Sequence, residues 1–228
     1  MSQVYTEAIF REAGSPDSLI IPEGFAEIED GALQRYVSLK KVIIPGSVSK
    51  ICHRAFCVCT SLQHIVLSEG ITTIECHLFD GCTSLQSISL PEGITKIGMM
   101  AFNGCASLQS IVIPNNVIEV EAKAFQYCSS LRRVILSENM TKINWGTFLG
   151  CHNLTNVIIP EGLTKIGPKA FERCHALQSI IMPKSVTEIC GRAFGDCTAL
   201  SKVILWSPET KINETAFAGC SNITIEYI

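Results

Sequence analysis

Apolar and polar residues alternate over short stretches of this chain, and the stretches return at one fixed spacing. In Leu85-x-x-Ile88-x-Leu90, Ile88 and Leu90 fall on one face of a strand, because side chains alternate along an extended backbone. Leu62/Ile65/Leu67, Leu108/Ile111/Ile113, Leu131/Val134/Leu136, Leu154/Val157/Ile159, Leu177/Ile180/Met182 and Leu200/Val203/Leu205 repeat the pattern every 23 residues. One short strand per unit, always in the same phase, predicts a parallel sheet along one side of the molecule. Pro91 ends its strand, since proline cannot donate to the ladder. The third place of the following turn holds Gly24, Gly70, Gly93, Asn116, Asn139 or Gly162, residue types that tolerate positive φ. Ile94 and Ile97 then predict a short extended segment on the opposite side. Ala101-Phe102 predicts a bend or a single helical turn.

Phenylalanine marks the same period: Phe56, Phe79, Phe102, Phe125, Phe148, Phe171, Phe194 and Phe217, each three residues before a cysteine. Loops of an ordinary globular core vary in length and would break such a phase. A period of roughly 20–50 residues signals stacked structural units. Each unit needs its neighbour to bury its faces, so the chain reads as one elongated domain. The ends depart from the pattern. Phe10 keeps the phase, but Ala13 takes the cysteine place, and in the next unit Leu33 and Tyr36 replace Phe and Cys. At the other end Ile223-Thr224-Ile225-Glu226-Tyr227-Ile228 alternates one residue out of register. The expected organisation is an N-terminal cap over 1–15, a solenoid over 16–220 and a closing strand over 221–228.

The spacing Leu-x-x-Ile-x-Ile/Leu-Pro, then Val/Ile-x-x-Ile, then Ala-Phe-x-x-Cys resembles the leucine-rich repeats, most closely the 23-residue type of BspA-like surface proteins. The resemblance covers roughly residues 16 to 223. It implies an α/β-type solenoid, mostly β and loop, coiled as a right-handed superhelix of about nine to ten repeats with its parallel sheet on one face. It also implies protein recognition, and for BspA-like proteins attachment to host matrix or to other cells.

Composition narrows the partners. A formal charge of −3 gives no electrostatic case for nucleic acid. No apolar run approaches the roughly 20 residues of a membrane helix. Residues 1–7 lack the basic start and apolar stretch of a secretory signal. Eight of the twelve cysteines share one column of the repeat. They read as reduced core thiols, since cysteine packs as a small hydrophobe and parallel Cβ vectors suit a disulfide poorly. These two features point to a reducing, cytoplasmic location, whereas the family resemblance points to the cell surface.

The residue between the two inward strand positions faces outward. That column reads Ile20, Ile43, Val66, Ser89, Val112, Ile135, Ile158, Ile181 and Ile204. Two places earlier the column is polar and varied, with Lys41, His64, Ser87, Ser110, Arg133, Asn156, Ser179 and Lys202. An apolar stripe beside a varied polar rim is a common build for a protein-binding surface. The plainer alternative is that β-branched residues suit a pleated sheet. The candidate contact set is Ile43, Val66, Val112, Ile135, Ile158, Ile181 and Ile204 with Lys41, His64, Arg133, Asn156 and Lys202. Its partner is a protein, or a second copy in a homodimer.

Other chemistry finds little support. Lys50, Lys96, Lys142, Lys165 and Lys211 form an exposed column interrupted by Glu27, Glu119 and Glu188, which reads as a solvated flank. Cys52-His53, Cys57, Cys59 and Cys76-His77 include zinc-type ligands, but Cys59 belongs to the core column and no C-x-x-C pair is present. No metal or cofactor is expected. His152 and His175 occupy equivalent places and should stack. Phosphate loops, H-E-x-x-H and G-x-S-x-G are all missing from the sequence, so no enzymatic reaction is expected.

Overall fold

The computed structural model describes residues 3–228 as a mostly β parallel solenoid of about ten turns with a single short helix among the described residues. Phenylalanine rings form its spine. From Phe56 to Phe217 consecutive rings stack at centroid distances between 5.1 and 5.7 Å. The inward strand residues and the paired apolar residues of the second segment pack around this spine in one continuous core.

The second segment forms short strands such as Lys96–Ile97 and Lys165–Ile166, paired in parallel with the same places of adjacent repeats. Lysines and glutamates therefore stand side by side on it. Lys50 meets Glu27 at 2.9 Å, Lys96 meets Glu119 at 3.2 Å and Lys165 meets Glu188 at 2.9 Å. The acids that interrupt the lysine column are its ion-pair partners, one repeat away.

The turn after each strand corrects an expectation. Gly24 alone of the third-place residues has positive φ, +97°. Elsewhere a right-handed turn suffices: the Ile94 N–H reaches the Pro91 carbonyl at 3.2 Å. The place lies against the backbone of the preceding repeat, and an amide side chain there can bond to it. Asn116 and Asn139 donate from Nδ2 to the carbonyls of Glu92 and Asn115, both at 2.7 Å.

Left-handed residues instead flank the phenylalanine, two places before and two after. Examples are Arg54 and Val58, His77 and Gly81, and Lys169 and Arg173. This alternation turns every second N–H along the solenoid. His77, Phe79 and Gly81 donate to Met99, Ala101 and Asn103 of the next repeat, while Leu78, Asp80 and Cys82 close local turns. Backbone strain at non-glycine residues is offset by a hydrogen-bonded stack.

At the N-terminal end, Gln3–Tyr5 pairs with Phe25–Ile28, and helix Glu7–Glu12 follows. Thr6 caps the helix by accepting the Ile9 N–H, and Phe10 is buried with its ring edge-to-face on Tyr36. At the other end, Lys202–Leu205 pairs with Thr224–Tyr227 in a register of 22, not 23. One residue fewer places Glu226 in the outward column, where it pairs with Lys202 at 2.8 Å.

Candidate protein-binding face

The first strands carry the candidate face, and the sheet they form is not continuous. It comprises three segments: Ser18–Ile20 with Lys41–Ile43 and His64–Val66; Ser110–Val112 with Arg133–Ile135 and Asn156–Ile158; Ser179–Met182 with Lys202–Leu205 and Thr224–Tyr227. The expectation of one strand in every repeat fails at residues 87–89, which are not paired. There both outward places are serine, and serine lacks the β-branched bulk that packs on a pleated surface. The second break lies between Ile158 and Ile181. Nothing in the residue types at that boundary separates it from its paired neighbours.

Side chains fall where the alternation puts them. Ile20, Val66, Val112, Ile158 and Ile181 are exposed, and Ile43, Ile135 and Ile204 are half-buried. Cross-strand neighbours join them into patches: Ile20–Ile43–Val66, Val112–Ile135–Ile158, and Ile181–Ile204. Lys41, His64, Arg133 and Asn156 are exposed beside them, while Lys202 is half-buried in its ion pair with Glu226. The twelve candidate residues share one face, but it is divided.

Trp206 escaped the sequence reading. It sits next after Leu205, where other repeats carry Pro or Ser, and it is exposed beside Ile181. Its being the only aromatic in that column was the available signal. A cleft of about 400 Å³ opens there, lined by Asn156, Ile158, Glu161, Ile181, Pro183 and Trp206, among others.

Most of the cysteines and histidines are engaged structurally, His64 on the outward face being an exception. The twelve cysteines are free. In the column, each thiol donates to the carbonyl 26 residues before it, as Cys82 does to Phe56 at 3.1 Å and Cys174 to Phe148 at 3.3 Å. Burial pushes the Cys59 thiol up to about 12, away from the reactive thiolate. Burial and the Glu27 carboxylate together raise Cys52 to about 11. The potential zinc ligands are dispersed among separate partners: Cys52 on Glu27, Cys76 on Glu121, His53 near Glu75, and His77 on Asp80. His152 and His175 do stack, with ring centroids 4.9 Å apart. Desolvation and the facing His175 lower the His152 pKa.

The description BspA type leucine rich repeat region, in six copies, matches residues 4–109 and 95–224. The chain belongs to that family. Among solved structures it is similar to a leucine-rich repeat protein from Bacteroides ovatus, with 27% identity and a TM-score of 0.75, covering 92% of this chain and 63% of that one. The T. pallidum leucine-rich repeat protein is 34% identical with a TM-score of 0.69, covering 72% of this chain and 79% of that chain. The pneumococcal vaccine antigen PcpA shares the fold at 14% identity and a TM-score of 0.60, covering 92% of this chain and 62% of its own. No curated protein matches the chain. The BspA-type repeat is a general protein-interaction fold. Its helix is far too short to cross a membrane, and no helix among the described residues is long and apolar enough.

Proposed function

We propose that this BspA-type solenoid is a non-enzymatic binding module that docks a protein partner through the outward face of its first sheet. The observation carrying this reading is the exposed aliphatic set on that face. Ile20, Val66, Val112, Ile158 and Ile181 each expose more than half of their surface to solvent. Apolar surface held in register on a rigid sheet and edged by Lys41, Arg133 and Asn156 is suited to exclude water against a complementary surface. The column thiols are engaged as donors to backbone carbonyls, and the histidines other than His64, which lies on the face itself, are stacked or paired. The family resemblance extends the reading to adhesion or surface recognition.

The test is partner capture by wild type and by an Ile135→Thr/Ile158→Thr/Ile181→Thr variant shown to remain folded. Proteins retained by wild type and lost by the variant would support the face as the docking site. Identical capture would remove the face from consideration. Sedimentation of the free protein over a range of concentrations separates the self-associating alternative, since a mass that doubles with concentration would identify a second copy as the occupant.

A further inference from the structure

The break between Asn156–Ile158 and Ser179–Met182 is local. On the far side, Lys165–Ile166 pairs in register with Glu188–Ile189, and the Phe148 and Phe171 rings remain stacked at 5.3 Å. The Ala176 N–H still reaches the His152 carbonyl at 3.0 Å. The two turns are therefore joined everywhere except along the first sheet.

Hydrogen bonds that several paired boundaries make are missing here at both ends of the strand. Ile44 donates to the Val66 carbonyl and Ile113 to that of Ile135, but Ile159 does not reach Ile181. Asn156 donates to the Arg132 carbonyl and Lys202 to that of Gln178, but Ser179 does not reach Thr155. Main-chain donors at Ile159 and Ser179 and acceptors at Thr155 and Ile181 thus face one cleft. Unpaired strand edges are templates for another extended chain. The opening also reaches toward the core: Val157 is half-buried, whereas its counterparts Val134 and Val203 are fully covered. At about 400 Å³, the cleft falls within the rough 300–1,000 Å³ range of ligand sites.

Charge sets no direction. Arg133 lies on the neighbouring strand with Arg132 just before it, and neither lines the opening; at the strand-end rim the exposed Glu161 has the exposed Lys184 at the equivalent place of the next repeat. Neither Glu161 nor Lys184 has an ion-pair partner among the described residues.

We propose that this split is a binding cleft for an extended peptide segment of a protein partner, recognised by strand addition. The segment pairs its main chain with the open edges and sets an apolar side chain against Ile158, Ile181 and Trp206. It runs parallel to the flanking strands. This inference rests on the sheet face being the docking surface and names what that surface takes.

The probe is the capped peptide acetyl-Glu-Thr-Val-Leu-Val-Thr-Lys-amide, titrated by calorimetry and by tryptophan emission. A Trp145→Phe background leaves Trp206 as the only reporter, because the chain has two tryptophans. The expected result is saturable binding with a shift in Trp206 emission. N-methylation of alternate amides, which removes main-chain donors and keeps the side chains, should weaken binding at least tenfold. Trp206→Ala should weaken it by calorimetry. In hydrogen exchange, the Ile159 and Ser179 amides should exchange quickly in the free protein and slow on binding. Absence of binding at millimolar peptide, or equal binding of the N-methylated form, would overturn the cleft. So would slow exchange of both amides in the free protein. If the triple threonine variant loses its captured partners while the peptide fails, the cleft falls and the face stands. If that variant captures the same proteins as wild type, the face itself is at fault.

Discussion

The Sγ of Cys151 donates a hydrogen bond to the carbonyl of Phe125, 3.2 Å away and 26 residues earlier in the chain. The cysteine that follows each phenylalanine by three residues thus binds the phenylalanine of the preceding turn. Neither residue is exposed, so the bond competes with no water. Cys151→Ala would remove one of the two donors to the Phe125 carbonyl, leaving the Cys128 N–H, and open a small void. A loss of about 0.5–1.5 kcal/mol is expected from the denaturant midpoint. Cys151→Ser keeps a donor in place and should cost less. Equal losses for the two variants would assign the column to packing alone.

The same burial sets an alkaline limit. Cys59 ionises at about 12 in the folded chain, against an ordinary value of 9.0. The protonated thiol is the form that the fold accepts. Its contribution is therefore fully present below about pH 9 and is lost as pH rises toward 12. Melting temperature should hold steady to about pH 8.5 and then fall. Replacing Cys59 by Ala should make that fall shallower. Thiol reagents at pH 8 should spare the nine buried cysteines until the chain unfolds.

His152 gives the opposite dependence. Its pKa is lowered by desolvation and by the facing His175, so protonation favours the unfolded chain. The corresponding stability is present above the ordinary histidine value of about 6.5 and is lost as pH falls through the folded one. Titration by NMR should show His152 protonating below that value. In His175→Gln it should move back up. An unchanged His152 titration in that variant would assign the shift to burial and the nearby Arg173.

Phe125 lies between Phe102 and Phe148, at 5.1 and 5.5 Å. Truncation to alanine should cost roughly 3–5 kcal/mol. Contacts in a solenoid run mainly between neighbours, so the damage should divide the array. Calorimetry of Phe125→Ala should show two separate transitions. One unshifted transition would contradict the nearest-neighbour picture.

Arg173 holds φ +62° in the place that Gly81, Gly104 and Gly150 occupy in other repeats. A left-handed conformation costs a non-glycine residue about 1–2 kcal/mol. Glycine removes that strain and adds freedom to the unfolded chain worth about 0.4–1 kcal/mol. Arg173→Gly should therefore stabilise by up to about 1 kcal/mol in urea unfolding. A clear loss would show that the arginine side chain contributes contacts exceeding its strain.

What the sequence determined is the stack. A 23-residue phase with phenylalanine and cysteine in register leaves one economical arrangement, because only aligned repeats bury those columns together. Alternation then assigns Ile158 and Ile181 to the outward face and Val134 and Val203 to the core, as the strands show. Ser87 and Ser89, in hindsight, were a legible warning of the first break. Tertiary structure decided the rest. Left-handed residues at Arg54 and Val58 arise because inter-repeat hydrogen bonds outweigh local preference, and propensity is silent about that competition. The split beside Trp206 depends on the separation of two neighbouring turns. That separation is set by packing summed over both sheets and the ring stack, and no single residue encodes it.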